Sequence, residues 1–299
     1  MSELVGQIGA LVAALMWGVS STFFTLGGKR QTHQAVNSIR LLGATLLLGI
    51  SHILIIGTLI PDASLYVWLM LGLSGVMGLA LGDGLLMWAH IKIGPRLSML
   101  VMSMVPIVTT TFAWFLFDER IEPIKLLAIA ITIGAVAWVI MEKADPKAIF
   151  KVTKFGILLA VGGMLGQALQ LIIAKDAIEN LGGPMPSLSA TYIRIMWGTA
   201  AIWAVAIPGR NIMGFFSAFK DRKFMKYTAF GTVAGPFLGI WASYLAIQFA
   251  PVGIASTLMA LTPLFMIPIS FIVFKEKPTW RALIGTMVAL AGVAVIFLL

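Results

Sequence analysis

Apolar positions fill this chain in long, nearly unbroken runs, and polar positions gather in the short gaps between them. About 20 apolar residues cross a bilayer as a helix. On that rule the pattern predicts ten spans, at about 4–28, 36–59, 65–91, 97–117, 124–141, 155–178, 188–208, 228–249, 254–274 and 280–298. The first span begins almost at Met1, with no basic stretch before it and no clear cleavage site, which argues against a signal peptide. The longest polar gap, Glu142 to Lys154, divides the ten spans five and five.

The pattern also repeats. The stretch from Gly82 to Arg120 is echoed from Leu238 to Lys277. In each copy an aromatic-containing apolar segment ends just before a proline, Pro95 or Pro251. The following segment carries a second proline, Pro106 or Pro263, and closes on a charged cluster containing Glu119 or Glu276. Ile39-Arg40 early in span two matches Ile193-Arg194 in span seven, and spans five and ten both end in small-residue runs. An odd number of spans per copy makes the second copy enter from the opposite side. The expected fold is therefore an all-α membrane protein, ten transmembrane helices arranged as two inverted five-helix repeats around a central cavity. The repeats cover residues 1–146 and 147–299.

Composition narrows the class. Hydrophobic residues make up 60% of the chain and charged residues 11%, far below the quarter or so of a soluble domain. The absence of Cys removes disulfides, thiolate metal sites and a thiol nucleophile. The net charge of +9 sits in short gaps between apolar runs, where anionic headgroups and topology account for it, so nucleic acid is not an expected partner. Of the 21 Lys and Arg residues, all but Arg120, Lys125, Lys175 and Arg194 fall in the connections after spans one, three, five, seven and nine. That bias predicts those loops to be cytoplasmic and both termini to lie outside.

Polar groups inside spans are the candidates for function, because each is costly in hydrocarbon unless it faces a cavity or a partner. Asp83 lies well inside span three and shares a helix face with Met87 and His90. Two readings stand: a proton- or cation-coupling group facing a cavity, or a structural carboxylate bonded to a neighbouring helix. Ser20 and Ser21 in span one, and Gln167 and Gln170 in span six, are either interhelical glue or substrate contacts. Trp17, Trp88 and Trp241 share spans with these groups, and Met99, Met102 and Tyr244 extend the set. Aromatic faces, Met and amides suit amphipathic, aromatic or cationic organic solutes. Arg40 and Arg194 are read here as lying at span starts, which leaves no basic cluster at midplane for a sugar phosphate. Pro106 and Pro263 are expected to interrupt their helices and to serve a gate. Glu119 and Glu276 read as solvated helix ends in ion pairs.

These residues carry a family resemblance as well. Trp17-Gly18 in the opening span, Arg40 and Arg194 starting the second helix of each half, and the proline-bearing spans that close on Glu119 and Glu276 resemble the EamA-type members of the drug/metabolite transporter superfamily. The resemblance covers essentially the whole chain. It implies a cavity formed by spans one to four and six to nine, with five and ten packed outside. It also implies export of amino acids, metabolites or drugs across the plasma (inner) membrane, with aromatic amino acids fitting the Trp and Met content. The loop from Gly57 to Ser64 departs from the usual pattern in having no basic residue.

The expected function is thus secondary active export of a small organic solute by alternating access, the alternative being a channel or facilitator without ion coupling. No GxxxxGK[ST] motif occurs for nucleotide-driven pumping, and His33, His52 and His90 are scattered, so neither an enzyme nor a metal site is expected. The expected partners are the solute, the bilayer and, through Asp83, protons. No cofactor is implied, and a monomer suffices.

Overall fold

The computed structural model describes residues 2–28, 30–102, 104–141, 153–179, 185–206, 218–274 and 280–298. Among them the secondary structure is entirely helical. The first half comprises α1 (Ser2–Gly28), α2 (His33–Ile56), α3 (Leu65–Gly75), α4 (Asp83–Met102), α5 (Val105–Phe117) and α6 (Pro123–Ile140). The second comprises α7 (Lys154–Glu179), α8 (Ser187–Ala206), α9 (Arg222–Thr232), α10 (Ile240–Phe249), α11 (Val252–Met259), α12 (Thr262–Phe274) and α13 (Trp280–Leu298). Two seven-residue π-helical segments, Val76–Gly82 (π1) and Val233–Gly239 (π2), join α3 to α4 and α9 to α10 without a break.

Local chemistry sets the ends. Thr32 and Ser64 cap α2 and α3 by accepting from Ala35 N and Val67 N. Gly57, at φ 88°, takes the left-handed conformation that closes α2. Among the described residues, six helical stretches are long and apolar enough to cross a membrane: Glu3–Gly28, Ala35–Ile56, Leu65–Leu86, Lys154–Ile178, Arg222–Phe249 and Val252–Ile269. Val105–Phe117, Pro123–Trp138 and Leu283–Val295 are shorter apolar helices. Leu54, Phe115, Ile272 and Trp280 are each at least three-quarters exposed, a surface that lipid covers and water would not tolerate.

Two expectations about proline need correction. Span three was expected to end before Pro95, yet the helix that starts at Leu65 continues through Gly94 and Pro95 to Met102. In the second half the chain does turn at the matching place, where Ala250 is extended and Pro251 caps α11. Pro106 and Pro263 do not interrupt helices. Each sits second in its helix, where the missing N–H would have had no intrahelical partner, so it helps start α5 or α12. The discontinuities precede them, at Met104 and at residues 260–261. Thr262 Oγ1 donates to the Met259 carbonyl, which the second discontinuity frees, whereas Thr109 Oγ1 bonds the Val105 and Pro106 carbonyls within the first turn of α5.

The halves interlock. α1 packs along α9, π2 and α10, whereas α7 packs along α3, π1 and α4. Each half's opening helix therefore lies against the π segment of the other half. α2 packs on α8, and α6 and α13 pair chiefly with each other at the margin. The repeat marker around Glu276 and the central gap at residues 142–152 lie outside the described residues.

Candidate functional site

Glycine makes the two crossings close. On α9 and π2, Gly231, Gly235 and Gly239 face Phe24, Ser20 and Trp17 of α1 in turn, and a Cβ on Gly239 would sit 2.7 Å from the Trp17 ring. On π1, Gly78 and Gly82 face Gln170 and Gln167 of α7, and Gly163 and Gly166 bring the α7 backbone against Gly82. Small residues at such crossings are the usual way for membrane helices to approach.

The opening helices bond the backbone at or just before the π segments, and at π1 a widened turn offers its carbonyl to an outside donor. Ser20 Oγ donates to the Gly231 carbonyl at 2.9 Å. Gln167 Nε2 donates to the Gly78 carbonyl at 3.1 Å, which also takes the backbone N–H of Asp83. The same Nε2 reaches Asp83 Oδ1 at 2.8 Å, and Gln170 Nε2 donates to Gln167 Oε1 at 3.3 Å. Arg40 Nη2 donates to the other Asp83 oxygen at 2.6 Å, with Arg40 Nε on Asn37 Oδ1 and the guanidinium over the Phe24 ring. Asp83 is thus held from both halves at once: by Arg40 of α2 and by Gln167 of α7. Of the two readings left open for it, the structure supplies the neighbouring-helix bonds.

Beyond this ion pair, Ser74 Oγ donates to the Gln170 carbonyl and lies 3.2 Å from Tyr244 Oη. Tyr244 is fully buried, and the Arg194 guanidinium lies over its ring, 5.3 Å from the centroid. The placement of both arginines at span starts is therefore corrected. Arg40 pairs with Asp83, and Arg194, two turns into α8, reaches the middle of π1, where Gly78 gives it room. A long side chain relocates its charge well away from its Cα, and this is why position in the span misled.

Of the other expected site residues, Ser20 and Gln170 are buried, Trp17 and Met102 are partly buried, and Ser21 is exposed. Trp88 is 60% exposed, on an open face of α4. Trp241 donates to Ser187 Oγ at 3.2 Å and stands between two open cavities on the flank of α10, of about 210 and 390 Å³. The side chains of Met87, His90, Met99 and Pro263 lie outside the described residues.

Sequence reasoning undervalued one charged group. Glu119 is no solvated helix end: its side chain is 13% exposed. It pairs with Lys175 Nζ at 2.8 Å and accepts the Val252 backbone N–H at the start of α11. Lys175 also donates to the Ile247 carbonyl. Tyr66 on Asp176 and His52 on Ser189 join the halves at the same end of the bundle. Part of the signal was available, since Lys175 follows a long apolar run about one turn before the end of α7, and a charge there calls for an acidic partner. At the opposite end Arg30 pairs with Asp221 at 2.8 Å, more openly.

Comparison with known proteins agrees with this architecture. The chain shares its fold with a crystal structure described only as that of a protein: identity is 16%, coverage 98% of this chain and 96% of that one, and the TM-score 0.78. No curated protein matches the sequence. The profile of the EamA-like transporter family matches twice, over residues 4–141 and 154–298, so this multi-pass membrane chain belongs to the EamA-like transporter family.

Proposed function

We propose that this transporter is a secondary active exporter of small organic solutes, foremost amino acids with aromatic or hydrophobic side chains. It works by alternating access between two inverted five-helix repeats, residues 1–146 and 147–299, around a central cavity. The six long spans, the three shorter apolar helices and Ser187–Ala206 make up the ten spans of this reading. The transporter resides in the plasma (inner) membrane on this reading, and the distribution of Lys and Arg supports an orientation with the basic loops in the cytoplasm and the termini outside.

The observation that carries the proposal is the hold on Asp83. A carboxylate at membrane depth is bonded to an arginine of one half and a glutamine of the other, so its protonation state bears on how the halves meet. Protonating Asp83 removes the attraction to Arg40 and loosens the contact through Gln167. A proton can thereby be coupled to rocking of the repeats. The apolar crossing at π2 serves as the fulcrum.

Counterflow in sealed proteoliposomes tests this, with a panel of amino acids and with or without a pH gradient. The expected result is saturable exchange, driven by the gradient and lost as a driven process in Asp83→Asn while exchange persists. Flux that neither saturates nor counter-exchanges would establish a channel. Full gradient-driven uptake by Asp83→Asn would remove the carboxylate from coupling.

A further inference from the structure

Arg194 is 3% exposed, and no acidic side chain pairs with it among the described residues. Its Nε lacks a hydrogen-bond partner. Asp83, the acid of the first half, is already committed to Arg40 and Gln167. The residue that follows π2, as Asp83 follows π1, is the apolar Ile240. A guanidinium buried without a counter-charge is costly, and the Tyr244 ring beneath it offsets only part of that cost. A second unmet group stands beside it. Gln170 is 4% exposed, its Nε2 is spent on Gln167, and its Oε1 has no donor. Both side chains crowd the same spot: a Cβ on Gly78 would meet Arg194 Nη2 and the Gln170 side chain together. One buried cationic donor and one buried acceptor, side by side, are the complement of a zwitterion.

We propose that Arg194 and Gln170 form the head-group subsite of the carrier: the guanidinium receives the substrate carboxylate, and Gln170 Oε1 receives its ammonium group. This rests on the transporter reading above and deepens it. The carboxylate supplies the missing counter-charge through charge-assisted, bidentate hydrogen bonds. An amine without a carboxylate leaves Arg194 uncompensated, and a dianionic phosphate overfills a single unpaired cation. The transporter therefore discriminates by head group, and side chains of varied shape are accepted.

The test is thermal unfolding of the purified protein in detergent, titrated with phenylalanine, tryptophan and leucine, each beside its amide and its deamino acid, and with inorganic phosphate. Wild type should be stabilised by at least one amino acid, more weakly by the matching deamino acid, and not by the amide or phosphate. Arg194→Met should bind that amino acid about tenfold or more weakly. Without ligand it should unfold no lower than wild type, because an uncompensated charge has been removed. Gln170→Leu provides a second check if Arg194→Met does not fold: it should bind the amino acid and its deamino acid equally. Equal stabilisation of wild type by amide and acid, by phosphate, or by none of the panel would overturn the subsite. So would an Arg194→Met protein that is less stable yet binds as wild type does. Counterflow separates the two proposals: exchange confined to amines or neutral solutes would sink the subsite and leave the carrier standing, while absence of any exchange would sink the carrier.

Discussion

The two crossings at the centre of the bundle share a backbone and differ in chemistry. π1 and π2 are each seven residues long, begin with Val, end with Gly and receive the opening helix of the other half. Pro236 lies inside π2, where its missing N–H and its ring account for a widened turn. π1 has Leu79 one residue after Gly78 and no proline. There the widened turn coincides with a donor from outside, Gln167. α1 meets π2 with two aromatic side chains and a hydroxyl, whereas α7 meets π1 with two amides beside an ion pair. The two copies share a shape and differ in lining: one crossing is mostly aromatic with a single hydroxyl, the other is amide-rich beside an ion pair. π turns are frequent at functional positions because they present backbone acceptors that an α-helix keeps for itself. At π1 those acceptors are in use.

Asp83→Leu should do the most damage, because it leaves Arg40 without its counter-charge at 14% side-chain exposure. Breaking such a pair costs about 3 kcal/mol, to be read from thermal unfolding in detergent. Arg40→Met combined with Asp83→Leu should recover most of the stability and none of the driven transport. Equal damage from the double and the single variant would show that the pair is not the unit.

Glycine at the crossings ranks next. Gly235→Val and Gly78→Val each force a side chain into an occupied space, against Ser20 in one case and Arg194 with Gln170 in the other. Each should lose about 1–3 kcal/mol. Gly84→Ala, whose Cβ would meet nothing within 4 Å, should stay within about 0.5 kcal/mol of wild type. If the crossings differ as argued, Gly78→Val abolishes counterflow in the fraction that folds, and Gly235→Val slows it.

Gln167→Leu isolates the polar crossing with a smaller effect. It withdraws a donor from Asp83 Oδ1 and from the Gly78 carbonyl, for about 1–2 kcal/mol. The carboxylate keeps Arg40, so the fold should survive while the pH dependence of uptake moves. An unchanged profile would mean that Gln167 is glue alone.

What the sequence disclosed follows from what hydrophobicity can encode. The all-helical membrane character, the twofold repeat and the burial of Ser20 and Gln170 follow from one-dimensional pattern, since lipid penalises each polar residue where it stands. Partnership is not encoded that way. Asp83 and Gln167 lie 84 residues apart, and Glu119 and Val252 lie 133 apart, so their pairing exists only once the halves interlock. The π segments were hidden for another reason: in π1 no proline or other residue type marks the widened turn. Proline misled by position. The same residue ends a helix at Pro251, opens one near Pro106, and is carried inside one at Pro95.

The two ends of the bundle give the smallest effect and the finest comparison. At one end Glu119 and Lys175 are nearly buried, and at the other Arg30 and Asp221 are 41% and 19% exposed in their side chains. The hydrogen bond from Arg30, then that from the Phe224 backbone N–H, hold the Asp221 carboxyl below its usual range. A carboxyl whose pKa is depressed on folding adds stability above its unfolded value, about 3.9, and loses it as the pH falls through the lower folded value. Asp221→Asn should therefore lower the unfolding temperature slightly at neutral pH and not at all at strongly acid pH. Salt should erase part of the difference, since this pair is open to solvent. The Glu119 pair, sheltered and tied to the start of α11, should respond little to salt. Because the chain has no Cys, single cysteines placed beside each pair report opening without background. The Asp221 end should label faster than the Glu119 end, and Asp221→Asn should widen that gap. Equal labelling at both ends would mean that the exposed pair closes its end as firmly as the sheltered one does.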